Sequence, residues 1–458
     1  MPIVKLNLKG LAAATADARA AASSTSKGPA DLATLDAIKT ALAPVRPTLP
    51  PIYRAKFYDP LAASVNALTP GDFQSLKTHR DNTPFWDALQ AVLQNASGYE
   101  SKATDSFQEV VSDLFDGFLS AEDRVGVKPP DYEVIPPLVK WGNPDFGPYT
   151  WPVDSMGRLK IEMSVVSLPP AHAHGGLLGW ATLGHETGGH DILGADKGLL
   201  RELTEVTHAA LLRAGQPSWM AAYWSERIDE TASDVLGLIN MGPAAGIGLV
   251  GYFRGLMGAW TGVAKLRSDG PADDPHPGDI VRGYLAAATV RRLSFAQRSR
   301  WATAIEAETD KDAGSIHLAG HAVTKATGKR AAAVVAKAIA DTPLLALEKR
   351  SLRSIQDWHD TDEAIATALR PALASGGTAI PASPGGTIYA THAVAAAVIA
   401  AVLGDASPAK LFAAMIGMLK AMHDANPSWG PLFVGHRGDS GRHVVAVRPR
   451  EIPVVAPL

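Results

Sequence analysis

The sequence predicts an α+β protein, mostly α, in which a small sheet lies beside two helices rich in histidine and carboxylate. Helical N- and C-terminal regions flank that centre. Three observations lead there. Apolar residues recur at helical spacing from Phe85 to Leu93 and from Phe107 to Phe118. Residues 297–458 are rich in alanine, a strong helix former. Arg158–Leu168 is the clearest strand, with β-branched residues and partial alternation, and Pro169-Pro170 ends it.

The chain divides into a helical N-terminal region (1–127), a core (128–296) and a helical C-terminal region (297–458). Its first thirty residues, rich in Ala, Ser and Thr, read as a mobile tail or a loosely docked helix. Asp31–Leu42 is a short helix that Arg46-Pro47-Thr48-Leu49-Pro50-Pro51 breaks. Thr83-Pro84 opens a second helix, and Ser106–Leu119 is a third; their aromatic stripes read as core. Residues 128–152 crowd proline, glycine and aromatics together and read as a structured loop. After the strand come a loop with His172 and His174, a helix over Leu177–Leu193, and a long helix over Ser218–Ile239 that Pro217 starts. Gly242–Gly255 reads as a turn plus a helix, residues 271–278 as a loop and Ile280–Leu293 as a helix. Ser375–Gly386 is a wide loop or linker, and His443–Val455 alternates as a terminal strand would. No repeat of solenoid length is visible.

With 458 residues, 46% of them hydrophobic and 19% charged, the chain has material for a large buried core. A net charge of −3 without a long basic run argues against nucleic-acid binding. No cysteine is present, so any metal must be held by histidine and carboxylate. The N-terminus lacks the layout of a signal peptide. The longest apolar run, Ile388–Leu403, is interrupted by Thr391 and His392 and is short for a bilayer. These features predict a cytoplasmic protein without a membrane span.

Gly184-His185-Glu186-Thr187-Gly188-Gly189-His190-Asp191 places two histidines around a glutamate. Two histidines on one helix face can chelate an ion while the glutamate serves as general base. His185 and His190 are five residues apart, which on an ideal helix separates them by roughly 140°. They converge only if the helix widens into a π turn, and Gly188-Gly189 ease that distortion. Downstream, Glu226, Glu230 and Asp234 share a helix face among Trp224, Ile228, Ala232, Val235 and Leu238. Carboxylates buried in such company need a partner or a metal.

Glu230-Thr231-Ala232-Ser233-Asp234 resembles the Glu-x-x-Ser/Ala-Asp segment of thermolysin-like zinc peptidases, the gluzincin group. The resemblance implies zinc held by His185, His190 and Glu230 in a zincin-like core, with Asp234 orienting His185. The long first motif is similar to that of dipeptidyl peptidase III. His276-Pro277-Gly278-Asp279-Ile280-Val281-Arg282 resembles the His-Pro-x-x-x-x-Arg segment of CAAX-prenyl-protease and HtpX-type peptidases. That likeness implies a substrate contact for His276 and a supporting role for Arg282. Together these segments cover about residues 160–290.

The expected function is hydrolysis of a peptide or protein substrate by a metal-activated water, with Glu186 as general base. A zinc hydrolase of another bond and a non-catalytic metal tie between helices are the alternatives. In zincins a strand before the metal helix pairs with extended substrate, and 158–168 is placed for that role. His172 and His174 could form a second metal site, line the cleft, or be plain loop residues. His317 and His321 are four apart, but their apolar neighbours suggest a packed helix face. Tyr223, Tyr252 and Tyr284 are three candidate donors to an oxyanion, and the sequence does not choose among them. His392, His423, His436 and His443 are unassigned.

Overall fold

Asn7 opens the first helix, α1 (Leu8–Ala22), its side chain accepting from the Lys9 and Gly10 amides. The computed structural model describes residues 6–78, 84–119, 124–132, 135–145, 147–161, 163–426 and 429; the strand expected at 443–455, with His436 and His443, lies outside them. Instead of a tail, the described part of the first thirty residues contains a docked helix. It buries Leu11, Ala14, Ala18 and Ala21. The protein is 65% helix and 7% strand in two small sheets, the α+β, mostly α class expected.

The N-terminal helices α2 (Leu35–Leu42), α3 (Asp59–Ala67), α4 (Pro70–Thr78), α5 (Pro84–Ser97) and α6 (Ser101–Leu119) bury the apolar stripes read in the sequence. Residues 128–152 are not all loop. They contain β1 (Ile135–Trp141) and β2 (Tyr149–Trp151), and β3 (Met163–Leu168) lies between the two, parallel to β1 and antiparallel to β2. The strand expected at 158–168 therefore starts five residues late. Gly157–Leu159 form a 3₁₀ turn, and Lys160 (φ 57°) is in the left-handed region, which ends any extended run. β3 is also central and offers no edge; among the described residues β2 is the outer strand beside it.

Every residue of β1 is buried, and Gln94 of α5 closes its outer side. The Gln94 amide donates to Trp141 O (3.0 Å) and accepts from Trp141 N (2.7 Å). One hydrophobic cluster joins α2–α5 to the sheet's first face. A larger one runs from Leu11 to Met422 and joins the N-terminal, central and C-terminal parts across residues 127 and 296.

The expected helix over 218–239 is two helices, α8 (Ser218–Ser225) and α9 (Ile228–Thr261), α7 being Leu199–Arg213. They part at Arg227, whose guanidinium donates to the carbonyls of Tyr223, Pro271 and Ala272. α9 kinks at Gly242 (φ 61°, ψ −149°), where a Cβ would come within 2.5 Å of the Trp358 ring, and Pro243 restarts it. α9 is long and apolar enough to cross a membrane by length and composition, and its most apolar stretch is wholly buried by the rest of the chain. α10 (Asp279–Val290) packs on it. α11 (Arg298–Asp312), α12 (Lys325–Asp341), α13 (Asp360–Ser375), α14 (Ala390–Leu403) and α15 (Pro408–Asp424) follow. Between α11 and α12 the expected helix face of His317 and His321 is a hairpin, β5 (Ile316–Leu318) and β6 (His321–Val323), with β4 (Asp269–Gly270) beside it. Ala319 and Gly320, both at positive φ, form its turn. Both histidines are exposed, and His321 stacks on Trp219.

From β3 the chain turns through Pro170–Ala173, and this turn buries His172. Its ring fills the space where a Cβ on Gly179 would sit, 2.2 Å away. His174 points outward to Glu100 (3.4 Å). The two histidines thus part company, and neither joins a metal-binding group. Burial pushes the His172 imidazole down to about 4, so it is neutral in the fold. The unfolded imidazole, near 6.5, takes a proton that the native one refuses; stability is therefore present above about pH 6.5 and is lost as pH falls towards 4. Urea unfolding should show a loss of up to about 3 kcal/mol from this group over that range. A His172→Gln protein should have a flatter pH profile; an unchanged profile would refute the assignment.

Candidate metal centre

The short helices Leu177–Ala181 and Leu183–His185 lead into a π turn, Glu186–Asp191. This is the widening that the five-residue spacing demands, since a π turn brings residues five apart onto one face. The glycines do more than loosen the helix. A Cβ on Gly189 would lie 2.3 Å from Ser233 Cα of α9, and one on Gly237 would lie 2.9 Å from the Gly184 backbone. The two helices touch backbone to backbone. That contact brings Glu230, one turn before Asp234, opposite the two histidines.

His185 Nε2 and His190 Nε2 are 3.1 Å apart, and Glu230 lies 3.3 Å from the first and 3.5 Å from the second. The other ring nitrogens face carboxylates: His185 Nδ1 meets Asp234 (2.9 Å), and His190 Nδ1 meets Asp229 (3.0 Å). With the Nδ1 protons donated there, both Nε2 atoms present lone pairs to one point. Glu230 Oε2 is buried beside them, with no hydrogen-bond partner among the described residues and His185 Nε2 3.3 Å away. With both imidazoles neutral these are three facing acceptors, which repel unless a cation, either a proton on His185 or a metal ion, sits among them. The spacing suits a metal ion. A tetrahedral ion with bonds of about 2.0–2.2 Å has ligand–ligand edges of about 3.3–3.6 Å, close to the 3.1, 3.3 and 3.5 Å found here. Among the described residues, His185, His190 and Glu230 form a group that could hold a metal ion.

Arg282 of α10 grips Asp234 with two hydrogen bonds, Nε to Oδ2 (2.8 Å) and Nη2 to Oδ1 (2.7 Å). Its guanidinium stacks on Phe253 and lies 3.8 Å from Glu230. The resemblance gave Arg282 the task of supporting His276; in the structure it fixes Asp234 and, through it, His185. His276 stands half-exposed at the mouth, its Nε2 3.4 Å from Glu230 and its Nδ1 3.2 Å from Asp274. Asp229 had no separate role in the sequence reading. Its adjacency to Glu230 was the only signal that could have found it.

Burial pushes the His185 imidazole down, but Asp234 and Glu230 outweigh it and raise it to about 10. Burial likewise works against the Glu230 and Asp234 carboxylates. His185 holds the first, and Arg282 the second, below the usual range. The pull on a proton at His185 is the pull these carboxylates would exert on a cation.

A cleft of about 410 Å³ opens beside the group, with His185, Glu186, His276 and Arg282 in its walls. Glu186 is buried, and its Oε2 accepts from Thr150 Oγ1 of β2 (3.0 Å). One stripe of α9 supplies an apolar wall: Leu249, Phe253, Leu256, Met257 and Trp260. The three tyrosines separate here. Tyr223 accepts from Gly278 N and steadies the His276 loop, while Tyr284 donates to Asp310. Tyr252 lines the cleft, and its buried hydroxyl has no hydrogen-bond partner among the described residues. Burial and the Glu186 charge push its phenol up, so it stays a donor.

Gly189→Ala should cost on the order of 1–3 kcal/mol in thermal unfolding and weaken metal binding with it, because the added methyl meets backbone. A variant that binds metal normally would refute the contact's role. Asp234→Asn and Asp229→Asn should each lower metal affinity about 10–100-fold by competition titration, the size of losing a hydrogen bond behind a ligand. Unchanged affinity would show that the carboxylates do not orient the imidazoles. No family model, curated protein or solved structure matches the chain, so function is argued from the site itself.

Proposed function

We propose that the chain is a zinc-dependent peptidase of gluzincin type, with His185, His190 and Glu230 as ligands and Glu186 as general base. The observation that carries this reading is the convergence of His185, His190 and Glu230 on one point at the wall of a cleft that also holds Glu186. A donor set of two imidazoles and one carboxylate suits zinc in a catalytic setting, where a fourth position stays open.

The chemistry that a bound zinc supplies is Lewis acidity, which brings the pKa of an attacking water towards about 7. The chain's own groups do the rest. Glu186 receives the water's proton while the water oxygen bonds to the substrate carbonyl carbon. The same carboxyl then passes that proton to the leaving nitrogen as the C–N bond breaks. Tyr252 and His276, both in the cleft wall, are the donors available to the carbonyl oxygen as it gains negative charge. Extended substrate would meet the outer strand β2 rather than β3, and Gly147 and Pro148 before β2 line the cleft. The α9 stripe would receive its apolar side chains.

Zinc-loaded protein offered a peptide library should cleave it, and chelator should stop the cleavage. Glu186→Gln should keep the zinc and lose roughly 10²–10⁴-fold in kcat. Full hydrolysis by Glu186→Gln removes the general-base role. Stoichiometric zinc without cleavage of any peptide, but with hydrolysis of esters or other bonds, moves the reading to a non-peptide hydrolase.

A further inference from the structure

β2 carries only three residues, yet all three side chains are committed. Tyr149 and Trp151 lie on one face of the strand, as residues two apart must, and both donate to the same atom. Tyr149 Oη reaches Asp87 Oδ2 at 2.7 Å and Trp151 Nε1 reaches it at 2.6 Å. The Lys140 ammonium of β1 holds the other oxygen, Oδ1. Asp87 projects from α5, so one carboxylate ties a helix, the far strand and the edge strand together. Burial and the charge on Asp87 push the Tyr149 phenol up, and it remains a donor.

Thr150, between the two aromatics, must face the opposite way. There its hydroxyl meets Glu186 twice, at Oε2 (3.0 Å) and at the main-chain oxygen (3.2 Å). Those contacts fix one carboxylate oxygen and the turn that bears it. Oε1 has no hydrogen-bond partner among the described residues and is the oxygen left for chemistry. A general base works only when its lone pair is aimed at the proton it takes, so a carboxylate tethered by one oxygen is a pre-aimed base.

We propose that Thr150 is the positioning residue for Glu186, and that Asp87 holds Thr150 in place by clamping its neighbours Tyr149 and Trp151. This rests on the reading of Glu186 as general base. The residues come from three separate stretches of chain, α5, β2 and the π turn. Nothing in the metal ligands requires them.

Thr150→Val keeps the shape and removes the hydroxyl. Its kcat should fall on the order of ten- to a hundredfold, the worth of a hydrogen bond to a charged group. KM and zinc content should stay at wild-type values. Thr150→Ser should recover most of the rate, which a purely structural loss would not predict. Crystals of metal-free Thr150→Val should show Glu186 in more than one orientation, where the metal-free wild type shows one. Tyr149→Phe removes one donor to Asp87 and should lower kcat in the same direction with KM unchanged. Wild-type kcat in Thr150→Val, with Glu186 singly oriented, overturns the proposal. Wild-type kcat in Tyr149→Phe overturns the clamp. Failure of the general-base reading is recognised separately, because Glu186→Gln would then retain hydrolysis whatever Thr150 variants do.

Discussion

The site depends on two helices meeting at glycines, with only the small Ser233 side chain between them. Gly184, Gly189 and Gly237 leave no room for a side chain, and Ser233 lies directly over Gly189. At that distance Glu230 stands across from His185 and His190, and Asp234 reaches the back of His185. A single methyl in the seam would push the two helices, and with them the candidate ligands, apart. The π turn is the other half of the constraint, because it puts both imidazoles on the side where the seam places the carboxylate.

Around that seam the polar groups are arranged in layers, each answering the burial of the one before. Glu230 and the imidazoles lie out of water, Asp234 and Asp229 take the outer imidazole protons, and Arg282 answers the charge of Asp234. Arg282 is itself covered by Phe253 from the cleft wall. Desolvation makes each step costly alone and supportable only with the next. An apolar wall residue thus shields the ion pair behind the ligands, which couples the shape of the cleft to the order of the site.

Much of this was legible in the sequence because it is local. The spacing of His185 and His190 required a wide turn, and the i, i+4 step from Glu230 to Asp234 put both on one face. Non-local parts were not legible. Thr150 and Asp87 sit in a stretch read as loop and in a helix read as plain core, and their meaning comes from partners far along the chain. β1 escaped notice because it is buried on both faces and carries Pro136-Pro137, so it shows neither alternation nor a strand-like composition. The hairpin at 316–323 reads as a packed helix face because its histidines are four apart among apolar neighbours. Arg282 was found at the right place with the wrong partner: the motif located it, and only the packing of α10 on α9 says what it grips.

The kink at Gly242 divides α9 into two lengths with different occupations. The length before it carries Glu230 and Asp234, and the length after it carries Leu249 through Trp260. Trp358, wedged into the bend, fixes the angle between them from the C-terminal part of the chain. One helix therefore carries the candidate metal ligand Glu230 on one side of a bend and the apolar wall of the cleft on the other. Sequence change beyond the bend at Leu249, Leu256, Met257 or Trp260 alters what fits the cleft, whereas a change at Phe253 reaches back through Arg282 to the residues before it.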